Sequence, residues 1–216
     1  MTARPIATRS AADFLPASKT LAALARAAHD CQGCELYRNA TQTVFGQGSA
    51  HAKIVFVGEQ PGDREDIEGH PFVGPAGRLL DEGLIAAGVD RGAVYVTNAV
   101  KHFKWTPRGK RRLHSKPNSR EIAACRPWLS AEFEAIEPQG IVCLGATAAQ
   151  ALLGRAFRIT KQRGELLPSE LASWIMATYH PSAVLRAPDE ARRHQMRDEL
   201  FADLKAAAKA LAVPMR

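Results

Sequence analysis

The feature that most constrains how this chain folds is a short apolar run that occurs four times, each time followed by a polar loop and a helical segment. The four runs occupy residues 53–57, 94–97, 141–144 and 174–178. Mainly apolar runs of this length are typical of strands that are buried on both faces of a sheet. Strands that alternate with helices favour parallel pairing between two helical layers. The sequence therefore predicts an α/β fold: a three-layer α/β/α sandwich around a central, mostly parallel four-stranded sheet.

The segments between these runs have helical periodicity, and they set the expected limits of the domain. We predict helices at residues 21–28, 76–87, 119–135, 146–153 and 189–211, the third of them perturbed by Pro127. Residues 1–17 are predicted to form a flexible N-terminal arm, and residues 18–216 a single domain. No apolar stretch reaches the roughly 18 residues that span a bilayer. We therefore expect a cytoplasmic protein without a membrane partner, and we expect it to be a monomer.

The positive charge of the chain is concentrated in one segment. Lysine and arginine together number 29 and aspartate and glutamate 22, which gives a net charge of +7. Residues 101–120 hold eight of the basic residues and no acidic one, so the rest of the chain is nearly neutral. A local basic patch of this kind suits a polyanion, and nucleic acid is the first candidate.

The four cysteines have a spacing that indicates a metal or iron-sulfur site. Cys31 and Cys34 form a C-x-x-C pair, and Cys125 and Cys143 follow much later in the chain. Four thiolates complete a tetrahedral metal site or an iron-sulfur site, whereas a disulfide framework is rare in the cytosol. The alternative is that Cys125, in a predicted helix, and Cys143, in a predicted strand, are ordinary core thiols.

Polar and aromatic residues follow the predicted strands where their carboxyl ends meet. Glu59 and Asp63 follow the first run, Asn98 ends the second, and His180 follows the fourth, while Phe72 lies in a glycine-rich loop. Each has an ordinary structural explanation by itself. Because the carboxyl ends of parallel strands share one sheet edge, we expect these residues to converge on a pocket beside the basic segment.

Taken together, these motifs identify a family. The chain contains G-E-Q-P-G-D-x-E-D from Gly58, H-P-F-V-G-P-A-G from His70, T-N-A-V-K from Thr97, Y-H-P-S-A-V-L-R from Tyr179, and the four cysteines. This combination resembles the iron-sulfur-containing family 4 branch of the uracil-DNA glycosylase superfamily, over about residues 30–205. The resemblance implies that the protein acts on uracil-containing DNA, that free uracil is its product, and that the fold is that of a uracil-DNA glycosylase.

The resemblance also implies roles for individual residues. A [4Fe-4S] cluster would be held by Cys31, Cys34, Cys125 and Cys143. Phe72 would stack on the extruded uracil, Asn98 would pair with its polar edge, and His180 would donate a hydrogen bond to the uracil oxygen that gains charge. The other residues implied in binding uracil are Gly58, Gln60 and Gly62. The residues implied in binding DNA are Lys101, Lys110, Arg111, Arg112, Ser182, Leu185 and Arg186.

Two further features resemble the uracil-DNA glycosylase X subgroup, whose members become covalently attached to uracil-containing DNA. They are Gln60 and the inserted G-K-R-R-L-H at residues 109–114. Where relatives use a water-activating Asp, this chain has Gln60, so Glu59 or Asp63 would have to serve. Our hypothesis is that His114 attacks C1′ of the deoxyribose in place of water, with Glu59 orienting its ring and stabilising the imidazolium.

Three alternatives stay open at this point. The first is a conventional family 4 uracil-DNA glycosylase that turns over, with His114 merely contacting DNA. The second is a noncatalytic iron-sulfur protein that binds DNA. The third is a zinc protein that uses the same cysteines.

Overall fold

The computed structural model describes residues 9–212, and a five-stranded sheet lies at its centre. The strands are β1 (Gln47–Gly48), β2 (Ile54–Gly58), β3 (Tyr95–Asn98), β4 (Trp105–Arg108), β5 (Arg111–His114), β6 (Gly140–Leu144) and β7 (Trp174–Thr178). The central sheet has the order β1-β3-β2-β6-β7, and β4 and β5 form a separate antiparallel hairpin. Within the sheet, β3, β2, β6 and β7 are parallel, as predicted, and the short β1 pairs antiparallel with β3. The prediction of four strands was therefore wrong by one, because two residues are too short a segment to show a strand pattern.

Eight α-helices and three 3-10 helices make up the rest of the regular structure among the described residues. The α-helices are α1 (Leu21–Ala28), α2 (Asp63–Glu68), α3 (Pro75–Ala86), α4 (Ser119–Ile136), α5 (Ala146–Leu153), α6 (Ile159–Gln162), α7 (Pro181–Leu185) and α8 (Glu190–Ala212). The 3-10 helices are Ala11–Phe14, Glu35–Arg38 and Arg91–Ala93. Pro127 lies inside α4 without ending it. None of these helices is both long enough and apolar enough to cross a membrane.

Alternation along the strands divides the core into two layers. Ile54 and Phe56 of β2 face the layer that contains α3 and α8, whereas Val55 and Val57 face the layer that contains α4 and α5. A third apolar cluster lies outside this sandwich, between α1 and the far side of α4. The expected three-layer α/β/α arrangement is thus present, with α1 added outside it.

Two segments differ from the expectation. Residues 9–17 were expected in a flexible arm, yet Ala11 is buried in the cluster beside α1 and α4, and Ser10 caps the first 3-10 helix with a capping box. Part of this segment thus packs against the domain, while residues 1–8 lie outside the described part. The basic segment, expected to be a loop, instead forms the β4–β5 hairpin around Gly109 and Lys110. Gly109 has a φ of 58°, which suits a tight two-residue turn.

Candidate active site

The parallel register aligns the carboxyl ends of the strands, and a pocket opens there. Gly58 is level with Asn98 across β2 and β3, and Leu144 is level with Thr178 across β6 and β7. The pocket has a volume of about 440 Å³. The predicted residues that line it are Glu59, Gln60, Gly62, Phe72, Asn98, His114, His180, Ser182 and Arg186. The convergence expected from the sequence is present for these residues. The predicted residues that are not among the described residues lining it are Gly58, Asp63, Leu185, Lys101, Lys110, Arg111 and Arg112.

Phe72 is held in an unusual backbone conformation at the pocket wall. Its φ is 59°, in the left-handed region that glycine usually occupies, which marks a place where the surrounding fold imposes the geometry. The Phe72 ring lies nearly parallel to the His180 ring, with 6.1 Å between centroids. A Cβ at Gly58 would collide with Asn98 Oδ1 and with the Phe72 ring, so only glycine fits there. Gly58 therefore contributes by allowing the ring and the amide to approach each other.

His180 has a fixed tautomer. Its Nδ1 accepts hydrogen bonds from the backbone N–H of Ser182 at 3.1 Å and from Ser182 Oγ at 2.8 Å. Because a backbone N–H is always a donor, Nδ1 carries no proton, and the proton of the neutral ring sits on Nε2. Burial lowers the pKa of His180 to about 4. At neutral pH the pocket therefore holds an uncharged imidazole with one N–H to donate.

Glu59 and His114 form a pair at the pocket. His114 Nε2 lies 3.2 Å from Glu59 Oε1, and Thr147 Oγ1 donates a hydrogen bond to the other oxygen, Oε2. Burial by itself would raise the pKa of Glu59, but the contacts with His114 and Thr147 outweigh it, and the pKa is lowered. Glu59 is thus an ionised carboxylate at neutral pH that faces one nitrogen of the His114 ring.

The hairpin that carries His114 is fastened at its base by Gln60. Gln60 Nε2 donates to the carbonyl oxygens of Lys104 and Ser115, both at 3.1 Å, and Gln60 Oε1 accepts from the Lys104 N–H at 3.2 Å. Lys104 directly precedes β4 and Ser115 directly follows β5, so one side chain joins both ends of the hairpin. Because Trp105 pairs with His114 in the ladder, fixing the base fixes the histidine. Gln60, expected to bind uracil, therefore also has a structural contact with the hairpin.

Arg112 fastens the hairpin at a second place, and this corrects two expectations. Its Nε lies 2.6 Å from Asp63 Oδ1 and its Nη1 lies 2.6 Å from Asp66 Oδ2, a fully buried carboxylate. Asp63 was expected to be a catalytic carboxylate and Arg112 to bind DNA. Both side chains are instead engaged with each other, since the hairpin folds back over α2.

Lys101 was also expected to contact DNA, and the structure contradicts this. Its side chain is buried, and Nζ lies 2.5 Å from Glu132 Oε2 and 2.9 Å from the carbonyl oxygen of Asn98. Tyr95 and Thr97 donate hydrogen bonds to the same carboxylate. A buried ammonium needs such a partner, and Glu132 supplies it from α4.

The basic segment nevertheless keeps an outward-facing set of cations. Lys104 pairs with Glu121 at 2.9 Å, so it joins Lys101 and Arg112 in contacts within the fold. The remaining basic residues of the segment are exposed: Arg108, Lys110, Arg111, Lys116 and Arg120. Lys110 and Arg111, two of those expected to bind DNA, are therefore accessible to it.

Three of the four cysteines belong to one apolar cluster, and the fourth belongs to another. Cys31, Cys34 and Cys125 belong to the cluster between α1 and α4, where Trp128 Nε1 donates to Cys31 Sγ and the Lys101 N–H donates to Cys125 Sγ, both at 3.2 Å. Hydrogen bonds to sulfur are typical of iron-sulfur ligands. Cys143 lies in β6, two residues after Ile141, so both side chains point to the same face of the sheet, which packs against α4. The structure therefore does not bring Cys143 together with the other three cysteines of the expected set. Among the described residues, no three such side chains converge on a single metal ion.

Two side chains that make hydrogen bonds at the pocket, Thr147 and Glu65, were not identified from the sequence. Thr147, which bonds to Glu59, lies in the first turn of α5, three residues after the end of β6, and its place after a strand was an available signal. Glu65 is buried at the pocket wall, and its Oε1 accepts a hydrogen bond from the Gly74 N–H at 2.9 Å. Its position in a run of charged residues gave no sign of burial.

Comparison with known proteins gives the same family as the motifs. Residues 45–205 match the family described as the Uracil DNA glycosylase superfamily. The chain is 39% identical over 184 residues to the type-4 uracil-DNA glycosylase of Archaeoglobus fulgidus, covering 81% of this chain and 85% of that protein. It is 42% identical over 170 residues to the type-4 uracil-DNA glycosylase of Thermotoga maritima, covering 78% and 85%. A third, from Pyrobaculum aerophilum, is 37% identical over 166 residues, covering 74% and 81%.

Proposed function

The chain belongs to the uracil-DNA glycosylase superfamily, and from that premise we propose that it releases uracil from DNA and is captured covalently by its own His114. The names of its type-4 relatives support uracil-DNA glycosylase activity. The pocket supports the same activity, because it offers a stacking ring, an amide and a hydrogen-bond donor at one sheet edge.

Uracil must leave the base stack to enter this pocket. Its ring would stack on Phe72, and the Asn98 amide would pair with its polar edge, since an amide has both a donor and an acceptor to match a pyrimidine. Unstacking costs a few kcal/mol, and phosphate contacts from the exposed cations of the hairpin would offset it.

Cleavage of the C1′–N1 bond sends its electron pair to uracil, which leaves as an anion, while C1′ becomes an electron-poor oxocarbenium centre. The N–H at His180 Nε2 would donate to the uracil oxygen that gains the charge. A neutral donor suits this task, because it stabilises the anion without transferring its proton.

In the capture step, the lone pair of one His114 ring nitrogen forms a bond to C1′. The ring becomes a cation, and Glu59 stabilises it from 3.2 Å away. That pair is the observation that carries the proposal: an ionised carboxylate faces one ring nitrogen and leaves the lone pair on the other nitrogen. Gln60 and Arg112 would keep the ring in place long enough to compete with water.

A denaturing gel tests the capture. After boiling with single-stranded uracil-DNA, the wild-type protein should give a shifted band, and mass spectrometry should locate the added mass on His114. His114→Ser should give no shifted band and should release uracil repeatedly, because water then reaches C1′. His51→Ser, an exposed histidine at the other end of β2, is the matched control and should behave as wild type.

The second candidate is a conventional glycosylase that turns over. Substrate in excess separates the two. If each protein molecule releases many uracils and abasic DNA runs free on the gel, the conventional reaction holds and His114 has no covalent role.

An iron-sulfur cluster would be structural in this protein. Cys31, Cys34 and Cys125 would supply three of its ligands, tying the C-x-x-C turn to α4. The fourth ligand would not be Cys143. DNA contacts by Ser182, Leu185 and Arg186 also belong to this proposal. Leu185 is 42% exposed at the end of α7, beside the pocket.

A further inference from the structure

A second recess lies beside the uracil pocket and is lined by cations. We call it the α3–α8 groove. It has a volume of about 340 Å³, and its lining includes Pro75, Arg78, Leu185, Arg193 and Arg197. Glu82 is the one acidic residue among the described residues that line it. The sequence motifs include Pro75 and Leu185 of its lining, but they gave no sign of its arginines.

The groove and the uracil pocket share a wall. Pro75 lines the groove and its neighbour Ala76 lines the pocket. At the end of α7, Leu185 lines the groove, and Arg186, which directly follows α7, lines the pocket. The groove thus lies across α7 from the uracil pocket, and the His114 hairpin contributes to the pocket but not to the described lining of the groove. A strand whose base enters the pocket has its backbone within reach of both.

The ion pairs made by the arginines of the groove neutralise their charge only weakly. Arg197 Nη2 lies 3.7 Å from Glu82 Oε2, and Arg193 Nη2 lies 3.7 Å from Glu190 Oε1, so both pairs are long and their side chains are about half exposed. Exposed ion pairs of this kind are weak. Arg78 is exposed one helical turn into α3.

We infer that the α3–α8 groove binds the phosphodiester backbone of the uracil-bearing strand, beside the flipped nucleotide; this rests on the proposed function. The groove matches that ligand in two ways. Its arginines suit phosphates, and its apolar wall of Pro75 and Leu185 suits the apolar face of a deoxyribose. Phosphate contacts position a strand without reading its sequence, so the groove would act on any uracil site.

The test measures how binding depends on salt. The probe is a single-stranded oligonucleotide with one central 2′-fluoro-2′-deoxyuridine, whose glycosidic bond resists cleavage. Arg78→Gln/Arg193→Gln should weaken binding and make the slope of log Kd against log salt shallower by roughly 1.4, since each single-strand phosphate contact contributes roughly 0.7. The control is Lys19→Gln/Arg26→Gln, which removes the same charge from exposed positions at α1 and should keep the wild-type slope.

A groove variant with the slope of the control overturns the inference. An altered slope on duplex but not on single-stranded DNA overturns it too, because the groove would then hold the complementary strand. Thermal melting of each variant confirms that it is folded. Failure of the proposed function is seen separately, as no release of uracil from ordinary uracil-DNA by the wild-type protein.

Discussion

Replacing Gln60 with alanine should release the His114 hairpin without removing the histidine. The Gln60 side chain makes three hydrogen bonds to the hairpin base, at 3.1, 3.1 and 3.2 Å, and the residue is only 6% exposed. A hydrogen bond of this kind contributes about 1 kcal/mol net, so the three together favour the closed hairpin by about 3 kcal/mol. That corresponds to a shift on the order of a hundredfold between closed and open forms.

The assay counts two products in the same quenched reaction: free uracil, and protein–DNA adduct on a denaturing gel. When the hairpin is open, water competes more effectively with His114 for reaction at the oxocarbenium centre. Gln60→Ala should therefore lower the ratio of capture to hydrolysis by up to the order of a hundredfold. Gln47→Ala, on the exposed edge strand β1, is the control and should leave the ratio as in the wild type.

A double variant separates positioning from uracil binding. In a His114→Ser background no capture is possible, so adding Gln60→Ala should change the rate of uracil release little if Gln60 acts through the hairpin. An unchanged capture ratio in folded Gln60→Ala would refute the reasoning. So would an equal loss of uracil release in both backgrounds, because Gln60 would then act on uracil directly.

Three further predictions follow from the same geometry. Glu59→Gln should slow adduct formation roughly 10- to 100-fold, since hydrogen bonds to charged groups are worth about 1.5–3 kcal/mol; a gel time course measures it. Burial lowers the pKa of His180 from 6.5 to about 4. Between pH 6.5 and about 4, the His180 side chain therefore binds a proton more readily in the unfolded chain than in the folded one. The free energy of unfolding should therefore fall by about 3 kcal/mol as the pH drops from 6.5 to about 4, and His180→Asn should remove that part of the slope in denaturant titrations. Cys125→Ser should lower bound iron and visible absorbance, whereas Cys143→Ser should leave both unchanged, because β6 places that thiol on the other side of α4.

The parts of the fold that were predictable are those that local patterns fix. The strand at residues 53–57 and its parallel partners follow from apolar runs, and parallel pairing then obliges Glu59, Asn98 and His180 to meet at one edge. Because this argument needs only strand direction, the pocket could be located before any distance was known.

The parts that failed depend on contacts between distant residues. Lys101 is one of eight basic residues in its segment. Nothing in the local sequence shows that it will be buried in an ion pair with Glu132, thirty-one positions later. Cys143 illustrates a different limit. Its spacing from Cys125 suggested a pair of ligands, but Cys125 packs on the α1 side of α4 and Cys143 on the side that faces the sheet. Spacing alone carries no information about which side of a helix a residue faces.

The distribution of charge explains why a glycosylase of this design needs more than its hairpin to hold DNA. Three of the eight basic residues in segment 101–120 are paired within the fold, so the hairpin side offers fewer free cations than the sequence suggests. Backbone contacts on one side of the flipped nucleotide alone would let the DNA strand rotate, and the uracil base could return to the base stack. Unstacking a nucleotide costs a few kcal/mol, and backbone contacts on both sides of the flipped sugar would offset that cost better than contacts on one side. The α3–α8 groove provides cations for contacts on the second side of the flipped sugar. It lies across α7 from the pocket that holds His114, the residue that would bond to C1′.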